Sequence, residues 1–131
     1  MNLWLVIALG GAFGAVGRYA LMQWVTRATA SLGPIGHSLP WGTLAVNVLG
    51  SALIGVLYVL FAEKLAVSET VRGLWVVGLL GAFTTFSTFS LDTVLLMEQG
   101  QLAQAVAYTF MSVVLCVLMA WLGIALMRLL T

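Results

Sequence analysis

The chain has 131 residues, of which 63% are hydrophobic and 7% charged. A soluble domain carries about a quarter charged residues, so this composition cannot cover a water-facing surface and excludes a water-soluble globular protein. A net charge of +1 provides no basic face for nucleic acid, and the single cysteine, Cys116, excludes an intramolecular disulfide.

The few charges are segregated. Residues 28–62, 73–91 and 99–127 contain none, and each gap is long enough for a helix of about 20 residues to cross a hydrocarbon core. The spacing predicts an all-α, multi-pass membrane protein forming one domain over residues 1–131, with spans at about 3–25, 41–62, 72–97 and 102–127. In the first span, Gly10, Gly14 and Gly17 lie along one helical face, where small residues let helix backbones approach closely in lipid. Ala28-Thr29-Ala30 has the small residues of a leader-cleavage site. No basic side chain precedes the apolar run, however, and Arg18 interrupts it, so no cleaved leader is expected.

The connection "TRATASLGPIGHSLP" contains Gly33, Pro34, Gly36 and Pro40, which break helices and make turns. Its His37 has no Cys, His or carboxylate at ligand spacing and reads as a solvated loop histidine, which removes a metal-hydrolase site. The second span carries Asn47 about 9 Å past Trp41 at the helical rise, and pairs Ser51 with Gly55 on one face. After "EKLAVSET", Ser68 or Thr70 is placed to cap the third span. That span contains "GAFTTFSTFS", residues 81–90, in which five hydroxyls alternate with three phenylalanines and no charge intervenes. Gly100 in "EQGQ" is a natural terminator. In the fourth span, Tyr108, Ser112 and Cys116 recur every four residues and share a stripe. Trp4, Trp24, Trp41 and Trp75 fall near predicted ends, as interfacial anchors do.

Orientation is poorly specified. Lys64, Arg72 and Arg128 lie on the side of the termini, and Arg18 and Arg27 on or towards the other. Two readings stay open: an ambiguous signal, or insertion in both directions with a dimer of opposed subunits.

The polar groups at depth are mostly uncharged. Hydroxyls and a carboxamide donate hydrogen bonds without carrying charge, which suits a small ion that must be dehydrated, held weakly and passed on. The same groups can instead bond their own backbone or a neighbouring helix. Threonine, phenylalanine and glycine weaken helix near Gly78 and Gly81, and a break at residues 81–84 would free carbonyls that lipid cannot satisfy. Carbonyl oxygens are hard ligands that fit an alkali cation. Phe86 and Phe89, three apart, could present positive ring edges to an anion or simply pack.

These stretches together resemble the Fluc (CrcB) fluoride channels of bacteria. The resemblance runs through "GGAFGAVGRY", "WGTLAVNVLGSALIG", "GLLGAFTTFSTFSLD" and the Tyr108/Ser112 pair, and so covers the whole chain. It implies a fluoride-specific channel of the bacterial cytoplasmic membrane that exports the anion passively and lowers its toxicity, not an enzyme. It further implies an antiparallel, dual-topology homodimer with a broken third helix and a structural sodium ion. By motif match the Gly81 and Thr84 carbonyls would hold the sodium. Asn47, Phe86, Phe89, Tyr108 and Ser112 would line the fluoride path, with Arg18 at the pore mouth. The chain departs from the pattern at Asp92, where a glutamate is usual, at Cys116, which replaces a hydroxyl, and at Gly81-Ala82-Phe83, which replaces Gly-Gly-Leu.

Two other readings compete. A small four-helix multidrug exporter needs a titratable acid in the first span, and residues 3–17 contain none. A non-transporting accessory subunit would use the polar stripe only to bind helices together.

Overall fold

The computed structural model describes residues 2–131. Four helices are long and apolar enough to cross a membrane: α1 (Leu3–Ala30), α2 (Trp41–Lys64), α3 (Glu69–Glu98) and α4 (Leu102–Leu130). No strand occurs among the described residues. The chain is an all-α, multi-pass membrane protein.

Local chemistry sets the helix ends. The Asn2 side chain accepts from the Trp4 amide and starts α1. The expected end of the first span, near residue 25, falls short: α1 continues through Arg27, Ala28 and Thr29 to Ala30. Alanine and arginine favour helix whatever their hydropathy, and the Thr29 hydroxyl bonds back to Val25 O at 2.9 Å. The turn comes at Gly33, whose φ of +66° suits glycine. A short 3-10 turn, Gly33–Ile35, follows, and the Trp41 indole N–H donates to Ile35 O at 3.1 Å, tying this loop to the start of α2.

Ser68 is the cap of α3, accepting from Val71 N at 3.3 Å. Gly100, at φ +74°, ends that helix. There Gly100 N donates to Met97 O and Gln101 N to Leu96 O, satisfying the last carbonyls. Like α1, the other helices run past the purely apolar stretch, α3 starting at Glu69 and α4 ending at Leu130. Helical hydrogen bonding does not stop where hydropathy changes.

The helices pack in two close pairs, α1 on α3 and α2 on α4. A Cβ at Gly10 would strike Leu74 O, one at Gly14 would strike Leu79 O, and one at Gly78 would strike Ile7 O. The second pair is reciprocal: Gly55 faces Ala120 O and Gly123 faces Ala52 O. The bare Cα atoms let the backbones touch, the close approach that replaces the hydrophobic drive in lipid. Gly17 plays a lesser part, since a Cβ there would meet only the Phe83 ring, at 3.7 Å.

Within α3 the backbone changes character twice. Gly73–Leu80 has π-helical hydrogen bonding, a form concentrated at functional sites. Gly81 is helical, with φ −61° and ψ −35°. Thr84 (φ −84°, ψ 158°) and Thr85 (φ −153°, ψ 111°) are extended, and helix resumes at Phe86.

Candidate functional site

The extended pair is held from another helix. Asn47, in the first half of α2, accepts from Thr85 N through Oδ1 at 2.8 Å and donates to Thr85 O through Nδ2 at 2.9 Å. The carboxamide thus pairs with the peptide groups of Thr85 on both sides, as a neighbouring strand would. Thr85 is also the N-cap of the following helical turn, its Oγ1 accepting from Thr88 N at 3.1 Å. The same hydroxyl donates to Thr88 Oγ1 at 2.9 Å and lies 3.3 Å from Ser87 Oγ. Thr84 Oγ1 bonds back to Leu80 O at 3.0 Å, and Ser90 Oγ to Phe86 O at 2.9 Å. Three of the five hydroxyls of residues 81–90, those of Thr84, Thr85 and Ser90, thus bond backbone groups, and those of Ser87 and Thr88 contact the Thr85 hydroxyl.

Two carbonyls lose their usual donors in this arrangement. In a continuous helix the amide of Thr85 would reach Gly81 O and that of Thr88 would reach Thr84 O. Here the first goes to Asn47 Oδ1 and the second to Thr85 Oγ1. Gly81 and Thr84, the two residues singled out as carbonyl ligands, are thus the two whose i+4 amides are engaged elsewhere. Hard oxygens without their helical donors fit an alkali cation.

A cavity of about 460 Å³ opens beside this segment. It gathers Asn47, Gly81, Thr84, Phe86, Phe89 and Ser112, with Ser51, Thr85 and Cys116 also on its wall. No lysine, arginine, histidine or carboxylate lines it. Its polar groups are neutral and its remaining wall is apolar. The Phe86 and Phe89 rings stand 5.3 Å apart, tilted by 50°. They differ in burial: Phe86 is 78% exposed and Phe89 only 8%. Phe89 also packs on Tyr108, with centroids 5.3 Å apart and a tilt of 43°.

The stripe on α4 divides by role. Tyr108 is fully buried behind Phe89 and donates to Asp92 Oδ2 at 3.2 Å, and it is not on the cavity wall. Ser112, one turn on, is buried, lines the cavity, and has no hydrogen-bond partner for its Oγ. Arg18 is half-buried on α1 and does not line this cavity. Among the described residues the one ion pair joins Arg128 to Glu63, through two contacts near the helix ends, Nε donating to Oε2 at 3.1 Å. Among those residues no group of three or more His, Cys, Asp or Glu side chains could hold a metal.

Sequence reasoning did not single out Thr85 or Gly50 as site residues. Thr85 carried a legible signal, a hydroxyl residue immediately before a helical run. Gly50, which underlies Thr84, carried none, because its role exists only through a neighbour far along the chain.

Comparison with known proteins adds an independent finding. Residues 5–124 match the family model described as CrcB-like protein, Camphor Resistance (CrcB). A protein of Hahella chejuensis named fluoride-specific ion channel FluC is 51% identical over 123 residues, covering 94% of this chain and 92% of that protein. A protein of the same name from Magnetococcus marinus is 50% identical over 123 residues, covering 94% and 95%. A third, from Pseudoalteromonas translucida, is 43% identical over 121 residues, covering 92% and 96%.

Proposed function

The chain belongs to the CrcB-like family, and on that premise we propose that it is a fluoride-specific channel through which the anion leaves the bacterial cytoplasm passively. The observation that carries this reading is the uncharged cavity, in which Phe86, Phe89, Asn47 and Ser112 come together. A small anion stripped of water needs donors to replace its hydration shell, yet must leave again. Neutral hydroxyl and amide donors with ring edges meet both needs, whereas a cationic side chain in direct contact on the pathway wall would hold the ion. The unpartnered Ser112 hydroxyl has a proton to offer, and Asn47 Nδ2 retains one after bonding Thr85 O. Tyr108 sets the position of the Phe89 ring from behind. Arg18 does not line the cavity, and we keep for it the role at the pore mouth that the family resemblance implies.

The assembly we infer is an antiparallel homodimer of two oppositely inserted subunits in the cytoplasmic membrane. Phe86 lines the cavity and is 78% exposed in the single subunit, and in this reading a second copy covers it. The nearly even division of basic residues between the two sides fits insertion in both directions. We read the extended Thr84–Thr85 segment as the family's helix break, and the Gly81 and Thr84 carbonyls of both subunits as the ligands of a structural sodium ion. Bound there, sodium would supply positive charge at depth, lowering the cost of an anion passing nearby.

Fluoride efflux from vesicles containing only the purified protein, read with a fluoride electrode, tests the function. The expected result is efflux that needs no proton gradient. Proton-coupled exchange of toxic organic cations would establish the exporter instead, and no transport of either kind would leave an accessory role.

A further inference from the structure

We propose that Asn47 and Thr85 are positioning residues for the cation site: each captures one backbone amide proton and so leaves one carbonyl oxygen free for the ion. The inference rests on reading Gly81 and Thr84 as sodium ligands. Asn47 Oδ1 takes the proton of Thr85 N, the i+4 donor of Gly81. Thr85 Oγ1 takes the proton of Thr88 N, the i+4 donor of Thr84. The pairing is one to one, with one interceptor for each carbonyl.

The energetics require both interceptors. A helix passing through this segment would bond the two carbonyls internally, and releasing them into lipid is unfavourable unless the amides also find partners. Asn47 meets that condition at both peptide groups of Thr85, since its Nδ2 donates to Thr85 O as Oδ1 accepts from Thr85 N. The extended conformation at Thr85 is thereby fixed by a residue 38 positions earlier in the chain. Thr85 meets the condition at the start of the next helical turn, as an N-cap does. Asn47 also lines the cavity, so one carboxamide serves the cation side with its oxygen and one proton, and faces the anion side with the other. The cation-binding oxygens are made available by side chains that do not themselves bind the cation.

Sodium-dependent thermal stabilisation of the purified protein tests this without any transport measurement. Melting temperatures are followed while sodium chloride replaces N-methylglucamine chloride at constant ionic strength. The wild-type protein is expected to gain stability with sodium. Thr85→Val keeps the shape and the preference for extended backbone but has no acceptor, so Thr88 N–H can turn to Thr84 O. Asn47→Leu likewise frees Thr85 N–H to bond Gly81 O. Each is expected to raise the half-saturating sodium concentration about 10- to 100-fold, the usual effect of losing a partner that orients a metal ligand. Thr85→Ser, which retains the hydroxyl, is expected to respond as the wild type does.

A wild-type sodium response that persists unchanged in Thr85→Val or Asn47→Leu overturns this inference and leaves the sodium reading standing. Loss of the response in Thr85→Ser overturns it too. A wild-type protein indifferent to sodium overturns the sodium reading and this inference together. Where Asn47→Leu does not fold, the comparison of Thr85→Val with Thr85→Ser decides alone.

Discussion

Gly50 of α2 lies against the Thr84 side chain: a Cβ at position 50 would fall on the Thr84 Cγ2 methyl and lie 3.4 Å from Phe83 Cδ1. The extended segment therefore rests on a glycine as well as on the Asn47 clamp, and the two contacts lie one helical turn apart on the same helix.

Gly50→Ala is expected to push Thr84 out of place, costing about 1 to 3 kcal/mol as overpacking does, and to lower fluoride efflux. The offending atom is a methyl, so Gly50→Ala combined with Thr84→Ser should recover both stability and flux. Serine lacks Cγ2 but keeps the hydroxyl that bonds Leu80 O. Thermal melting and vesicle efflux on the single and double variants check this. A double variant no better than Gly50→Ala would show that the collision lies elsewhere.

The two phenylalanines should separate stability from transport. Phe86 is 78% exposed and Phe89 is packed between Phe86 and Tyr108. Phe86→Ile removes little packing within one subunit, whereas Phe89→Ile takes volume from a buried ring contact and is expected to cost about 1 to 3 kcal/mol. Both should cut fluoride efflux about tenfold or more, corresponding to about 1.4 kcal/mol in barrier. Wild-type efflux in both variants, with the protein still folded, would reduce the rings to packing.

Ser112 offers the opposite combination. A buried hydroxyl without a partner costs about 1 to 3 kcal/mol, so removing it need not destabilise. Ser112→Ala is expected to melt at or above the wild-type temperature while fluoride efflux falls. A clear drop in melting temperature with undiminished efflux would mean that the hydroxyl has a structural partner and no part in permeation.

Tyr108→Phe removes the donor to Asp92 Oδ2 and keeps the ring that packs on Phe89. Efflux should fall several-fold while the protein stays folded, because the hydroxyl is a polar group lost from directly behind the Phe89 ring. Retained efflux would confine Tyr108 to its contact with the Phe89 ring. Glu63→Gln, which removes the charge pairing with Arg128 near the helix ends, serves as the control and should leave efflux unchanged, since such exposed pairs contribute little.

What the sequence determined by itself was set by local rules. Three charge-free stretches and a first apolar run broken only by Arg18 pointed to four spans. Ser68 or Thr70, of which Ser68 is the cap, and Gly100 marked helix ends because capping and positive φ depend on residue type and immediate neighbours. Gly10, Gly14 and Gly55 were legible as close-contact positions, though not which backbone each would meet. Even the local rules fell short at α1, where the helix runs on to Ala30, beyond the expected end near residue 25. The tertiary structure alone decided that Asn47 clamps Thr85, that Gly50 underlies Thr84, that Ser112 lines the cavity with its hydroxyl unpartnered and that Tyr108 stands behind Phe89. These are relations between residues on different helices. Hydrophobic periodicity and caps act within a few residues, but a hydrogen bond across 38 positions exists only once helix packing has brought its two ends to within 3 Å.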